Sequence, residues 1–346
     1  MSEVSWQKQK LYRRRHKDLL LPSGLNYPQS IEEVANTFDT QIREGQLDGY
    51  LPTPTGFKQL DEWLGGGFHA YNLLLVGGPQ NVGKTVWILQ AARNVAAAGG
   101  AACVLEYEHD EVHMLHRLIC MESRLAAGYA GEGVTIGGIR QSIINRLGGL
   151  NGNGFAQGLQ AVLSDHSAAR QAWGNIGTYF DRLFLIKGHP LKTTLDVIDT
   201  YLEWFKQQYG LKTVLFIDYL QKVPYSLERT TIAKEDKVAY TTEGLKDLAL
   251  AHGIPIVAVS AMDAEGLKKF RGEVFDLAGG ETTKYEPDAV LMLNPRWRWD
   301  EKAERGQVLF SIEKNRSGPT GVEVEYQLRG ENFCFWPEKD VQRSNR

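Results

Sequence analysis

Eight consecutive residues in this chain have the types and spacing to hold a chain of phosphates. Gly78-Pro79-Gln80-Asn81-Val82-Gly83-Lys84-Thr85 is a complete G-x-x-x-x-G-K-[ST] string. Its glycines let backbone N–H groups turn inward around phosphate oxygens, Lys84 has the reach for β- and γ-phosphates, and the Thr85 hydroxyl is a ligand for Mg2+. The chemistry needs a strand in front and a helix behind, and both are legible: Leu73–Val76 is a short apolar run, and residues 86–98 carry a helical pattern. The expected ligands are ATP and Mg2+, with all eight residues on the nucleotide and Thr85 on the metal.

A second element fits the first. Thr213-Val-Leu-Phe-Ile-Asp218 is an apolar strand ending in a carboxylate, which places Asp218 beside the magnesium and its water shell. Hydrolysis also needs a group that orients or deprotonates the attacking water, and a carboxylate at the end of a neighbouring strand suits the task. The strand Ala102–Leu105 runs into Glu106-Tyr107-Glu108. Continued to Glu108, its period-two alternation puts both glutamates on one side, so the residues alone leave the two open; Glu108 is the one favoured here.

These side chains must be positioned by a sheet. Leu73–Val76, Ala102–Leu105, Leu183–Ile186, Val214–Ile217, Ile256–Val259 and Val290–Leu293 read as strands buried on both faces. Helices are expected near 86–98, 111–127, 193–209 and 235–252. This alternation predicts an α/β, doubly wound, mostly parallel sheet with its ligand at the carboxyl ends of the strands. Beyond residue 306, Val308–Ile312, Val322–Tyr326 and Phe333–Trp336, separated by turns such as Ser317-Gly318-Pro319, predict antiparallel strands added to the same sheet.

The rest of the chain sets bounds. A net charge of −3 over 346 residues gives no overall cationic field, so any contact with nucleic acid must be local. Cys103, Cys120 and Cys334 are odd in number and lack metal-ligand spacing, which suits a reducing, cytoplasmic setting. No apolar run is long enough to span a bilayer. Residues 1–28 read as a basic arm and linker, with six Lys/Arg against one Glu in the first seventeen positions; a solvated terminus would look the same. Residues 29–53 read as a linker helix: Ser30 and Glu33 form a capping box, Ile31, Val34, Phe38 and Ile42 make an apolar stripe, and Gly45 stops it. The ATPase domain is expected over 54–336, with a flexible glycine-rich insertion at 131–158 and a tail at 337–346.

Ile217-Asp218-Tyr219-Leu220-Gln221 resembles the I-D-Y-L-Q signature of DnaB-type replicative helicases, whose motor domain is a RecA-like P-loop NTPase. The order of the surrounding motifs is also similar: Thr55-Gly56-Phe57, Gly65-Gly66-Gly67, the phosphate loop, Leu105-x-x-Glu108 with Arg117, Leu245-Lys246-Asp247-Leu248-Ala249, Ile254-Pro255-Ile256-Val257, and Lys314-Asn315-Arg316-Ser317-Gly318. The resemblance covers about residues 54–336. It implies Glu108 as the catalytic carboxylate, Lys84 and Thr85 on nucleotide and metal, and Asp218 at the magnesium. It further implies that Lys314 and Arg316 act in trans on the nucleotide of the adjacent subunit, in a homo-oligomeric, hexameric ring that translocates on single-stranded DNA. The helix at 29–53 would then dock on a neighbouring subunit, and a replication or mobile-element protein would be the partner.

Departures qualify the resemblance. Where the family shows Ser-Gln, with the Gln reading the γ-phosphate, this chain has Ser260-Ala261, and alanine cannot make that hydrogen bond. Only about 50 residues precede the motor region, and Gly279–Asp288 follows the family's DNA-loop pattern loosely. Lys268, Lys269 and Arg271 are the candidates for phosphate contacts to a strand, although Glu265 and Glu273 flank them. The alternative function is a regulatory or assembly ATPase, KaiC-like or loader-like, whose nucleotide state controls partner binding; a strand-pairing ATPase of the RecA recombinase kind is a third reading.

Overall fold

The computed structural model describes residues 27–128, 131–149, 158–225, 234–298, 300–304 and 306–337. Nine strands make one sheet: β1 Leu73–Gly77, β2 Ala101–Glu106, β3 Leu183–Lys187, β4 Thr213–Asp218, β5 Ile256–Val259, β6 Ala289–Pro295, β7 Gln307–Asn315, β8 Val322–Arg329 and β9 Cys334–Pro337. They lie in the order β3-β2-β4-β5-β1-β6-β7-β8-β9. From β3 to β6 every pairing is parallel, and from β6 to β9 every pairing is antiparallel. Each strand expected from the sequence is present, and the sheet changes from parallel to antiparallel where the patterning changed.

The central strands β1, β2, β4, β5 and β6 are apolar at consecutive positions because the sheet is covered on both sides there, whereas β3, expected to be buried on both faces, lies at the sheet edge and is only half-buried. Leu74, Val76, Ala102, Val104, Val214, Phe216, Val257 and Val259 point into one core. Their neighbours Leu73, Leu75, Cys103, Leu105, Leu215, Ile217, Ile256 and Ala258 point into the other, as the two-residue period of a strand requires. The first core is filled by the helix Lys84–Ala97, whose Trp87 is fully buried and stacks on Phe57 at 5.9 Å between ring centroids. The second core is filled by the helices Leu195–Tyr209 and Lys234–His252, through Ile198, Leu202, Phe205 and Leu245. Cys103, Cys120 and Cys334 are buried free thiols; burial pushes the Cys120 thiol up to about 12.

We number the helices α1 Ile31–Glu44, α2 Lys58–Trp63, α3 Lys84–Ala97, α4 Glu111–Ala127, α5 Ile136–Arg146, α6 Leu159–Leu163, α7 Ser167–Ile176, α8 Leu195–Tyr209, α9 Lys234–His252 and α10 Thr282–Tyr285. Helix α1 belongs to a separate unit ending at Leu47. Its capping box forms as expected: Ser30 N–H donates to the Glu33 carboxylate at 2.9 Å and Glu33 N–H to the Ser30 hydroxyl at 3.2 Å. Gly45 closes it in the left-handed conformation with φ +69°. The basic arm at residues 1–26 and the tail beyond Pro337 lie outside the described residues.

Within the glycine-rich stretch at 131–158, the described residues 131–149 include the helix α5. Thr135 caps α5 by accepting from Gly138 N–H, and Ile139 and Ser142 are buried. Helix α7 then packs on α4. Beneath this contact the buried Glu122 carboxylate accepts from Arg93 and from the Tyr179 hydroxyl. Residues 150–157 lie outside the described residues.

Candidate active site

The carboxyl ends of β1, β2, β4 and β5 lie along one edge of the sheet and carry the candidate groups. The phosphate loop leaves β1 at Gly78 with φ +140°, and a Cβ there would sit 2.3 Å from the Leu293 carbonyl oxygen, so only glycine fits. The loop ends at Gly83, the N-cap of α3, with φ +99°. Lys84 begins α3 and folds back over the loop, its Nζ donating to the carbonyls of Gly78 at 2.8 Å and Pro79 at 2.7 Å. Burial lowers the Lys84 ammonium to about 8, against the opposing pull of Asp218 and Glu108.

Asp218 closes β4 and is buried, and its Oδ2 has no hydrogen-bond partner. Burial raises its carboxyl to about 6, while the Thr85 hydroxyl and Lys84 act in the opposite sense. Register puts Glu106 of β2 directly beside it. Glu106 is also buried; its Oε1 accepts from the backbone N–H groups of Glu108 at 2.7 Å and His109 at 3.2 Å, and its Oε2 is unpaired. Burial, then the charge of Asp218, raises Glu106 to about 7. Both carboxyls are thus raised by burial, and the two titrate as a coupled pair.

This geometry separates the two glutamates that the sequence left open. Strand β2 ends at Glu106, so the alternation does not continue. Glu106 turns inward and ties down the following turn, whereas Glu108 is exposed and lines a cleft of about 580 Å3. Gln80, Asn81, Gly83, Lys84, Thr85 and Asp218 line the same cleft. Arg117, legible in the sequence only as part of a motif, also enters the cleft. Its guanidinium donates to His109 Nε2 at 2.9 Å and lies 5.0 Å from the Phe333 ring centroid. The far wall, Leu328, Gly330 and Phe333, comes from the antiparallel extension. No sequence signal ties those residues to a nucleotide, because they meet the loop only through the sheet.

Thr85 and Asp218 fit a magnesium. Among the described residues no cluster of three or more His, Cys, Asp or Glu suits a metal ion; Mg2+ bound with a nucleotide asks for less, one hydroxyl and one carboxylate beside phosphates and water. The unpaired Oδ2 of Asp218 is a donor atom left for such an ion.

The remaining candidates lie elsewhere. Lys314 and Arg316 are at the opposite end of the strands: Arg316 N–H donates to the Asp288 carbonyl at 2.8 Å, and Asp288 N–H to that of Leu73, the first residue of β1. The whole of β1, about 13 Å, separates them from the phosphate loop of their own chain. Lys268, Lys269 and Arg271 follow β5 and are each paired with carboxylates, Glu265 at 2.6 Å, Asp276 at 2.6 Å, and Glu313 with Glu323, respectively. Ala261 lines the cleft, and its backbone N–H donates to Gln221 Oε1 at 3.1 Å; the Gln221 amide also donates to Ser260 at 3.1 Å.

The family model for the DnaB-like helicase C terminal domain matches residues 53–135 and 164–335. The chain belongs to this family. The match breaks across α5 and α6, the part of the chain that contains the glycine-rich stretch. Among curated members, the chain is 24% identical to the replicative DNA helicase DnaC of Bacillus subtilis (strain 168) over 310 residues, 88% of this chain and 58% of that protein. It is 25% identical to the replicative DNA helicase DnaB of Geobacillus stearothermophilus over 324 residues, 92% of this chain and 61% of that protein. The chain thus spans about three fifths of the length of these relatives. The fold matches that of a DnaB-like replicative helicase, solved for its interactions with primase, with a TM-score of 0.65 at 19% identity, covering 91% of this chain and 68% of that one. A solved ATPase domain matches with a TM-score of 0.70 at 20% identity, covering 90% of this chain and all of that one. No helix among the described residues is long and apolar enough to cross a membrane.

Proposed function

We propose that this chain is an ATP-hydrolysing motor subunit that works in a hexameric ring of its own copies and moves along single-stranded DNA. The observation that carries the reading is the split of its charged groups between two edges of one sheet. Lys84, Thr85, Asp218 and Glu108 share a cleft, while Lys314 and Arg316 lie at the far ends of the same strands. Lys84 would meet the β- and γ-phosphates, and Thr85 with Asp218 would hold Mg2+. Bound there, the ion would neutralise charge on the phosphate oxygens. Glu108, exposed at the cleft, would orient the attacking water and take its proton. Arg316 and Lys314 of a neighbouring copy would stabilise charge developing on the transferred phosphoryl group, so turnover would require assembly.

Contact with DNA through Lys268, Lys269 and Arg271 would require them to exchange carboxylate partners for phosphates. Such exchange costs little for the exposed Lys268–Glu265 pair and more for Lys269, whose partner Asp276 is buried.

The test is steady-state ATP hydrolysis with and without single-stranded DNA, for wild type, Glu108→Gln and Arg316→Ala, with assembly followed by light scattering. Strong stimulation by DNA, lost in both variants while the ring persists, is the expected result. Turnover indifferent to DNA in an intact assembly would refute the motor and favour a nucleotide-controlled switch.

A further inference from the structure

Asp288 sits just ahead of β6 and is buried, yet it serves three elements. Its Oδ2 accepts from Leu73 N–H at 2.8 Å, at the start of β1, and from Lys246 Nζ of α9 at 2.7 Å. Its Oδ1 accepts from Arg316 Nη1 at 3.2 Å. The same guanidinium donates from Nη2 to the Tyr285 carbonyl at 2.7 Å, at the end of α10. Lys314 Nζ is seated on that end as well, donating to the carbonyls of Lys284 at 2.8 Å and Tyr285 at 2.6 Å. Both cations are therefore held from behind by one short segment, and half of the Arg316 side chain stays exposed, at 51%.

We infer that Asp288 is a positioning residue for Arg316: its Oδ2 secures the sheet while its Oδ1 fixes the guanidinium in the orientation from which it serves the neighbouring copy's nucleotide. This rests on the reading above that Arg316 acts across a subunit boundary. A guanidinium is planar, and two acceptors on one side fix its plane and leave its other N–H donors facing outward. An unheld arginine on a surface strand would have to be ordered at each turnover, against its rotamer entropy. The segment that does the holding, 281–288, ends the connection that begins at Ala261 in the chain's own cleft. The finger of one site is thus seated on the connection that leaves another.

The division of labour between the two oxygens supplies the test. Asp288→Asn keeps one acceptor oxygen, which the Leu73 N–H and Lys246 claim, and turns an NH2 toward Arg316, donor against donor. The variant should fold, bind ATP with unchanged KM, and lose about tenfold in kcat, the worth of one charge-assisted hydrogen bond. Mixed rings separate this from a general structural defect. Lys84→Ala subunits carry an intact finger, and Asp288→Asn subunits carry an intact phosphate loop, so their mixture should regain turnover above either variant alone. Arg316→Ala mixed with Lys84→Ala is the control for the underlying reading. If that control mixture stays inactive, the cross-subunit finger and the role of Asp288 both fall. If it recovers while the Asp288→Asn mixture does not, or if Asp288→Asn alone keeps full kcat, the role of Asp288 alone falls. Should the single variant fail to fold, Lys246→Gln/Asp288→Asn, which leaves no buried charge unpaired, is put through the same mixtures and decided by the same outcomes.

Discussion

Replacing Glu106 by Gln should stabilise the nucleotide-free protein, and only above the acid range. Glu106 is buried beside Asp218 in register, and burial with that neighbouring charge raises its carboxyl from 4.5 to about 7. The folded state keeps the proton over a range in which the unfolded chain has released it. Its contribution to stability is therefore fully present below pH 4.5 and is lost as pH rises through about 7. A rise of that size corresponds to about 3 kcal/mol at pH 8 and under about 1 kcal/mol at pH 5. Gln removes the titration while its carbonyl oxygen can still accept from Glu108 and His109 N–H, as Oε1 does now. Thermal unfolding without nucleotide should show the variant more stable by about 4 °C at pH 8, with the gap mostly closed at pH 5. Binding of Mg-ATP should persist, because Asp218 and not Glu106 lines the cleft. An equal gap at both pH values, or a variant less stable at pH 8, would refute the account of Glu106 as a carboxyl raised by burial and by the charge of Asp218.

Three other outcomes follow from the site and its supports. Lys84→Ala should weaken ATP binding by about a hundredfold or more, measured by calorimetric titration, with the fold intact because the ammonium is bonded only to loop carbonyls. Magnesium titrations of the ATPase should show half-saturation rising steeply below about pH 6, where Asp218 takes a proton and competes with the ion; a flat profile from about pH 5.5 to 7.5 would remove Asp218 from the metal site. Trp87→Ala should lower unfolding stability by about 3–5 kcal/mol, since Trp87 is fully buried between Phe57 and Phe68 under the sheet; chemical denaturation with an intact m-value checks it.

What the sequence disclosed was whatever depends on local pattern. The apolar runs located all nine strands, and the loop string placed Lys84 and Thr85 without reference to anything distant. The capping box at Ser30 and Glu33 and the stop at Gly45 bounded α1 for the same reason. Choosing between Glu106 and Glu108 required knowing where β2 stops, which its pairing with β4 decides. The glycines of residues 131–158 suggested flexibility; among the described residues of that stretch, Ile139 and Ser142 find buried places beside α4 and α6, a tertiary contact that overrides low helix propensity. Phe333 reaches the cleft only because three antiparallel pairings, β6 with β7, β7 with β8 and β8 with β9, return the chain toward α3. The pairing of Lys268, Lys269 and Arg271 with carboxylates was half visible: Glu265 is near in sequence, but Glu313 and Glu323 arrive from β7 and β8.

The split of charged groups between the two ends of β1 and β6 has a consequence for assembly. On the cross-subunit function proposed above, a subunit built this way would carry one half of a hydrolytic centre at its head and the complementary half at its tail, so no single copy and no face-to-face pair would complete one. Only head-to-tail contacts would, and repeated head-to-tail contacts either close on themselves or run on as an open helix. An open run would always waste one half-centre at each end. Closure would recover it, and on that function the number of working centres, and not the strength of any one contact, would be the quantity by which a ring outperforms a broken one.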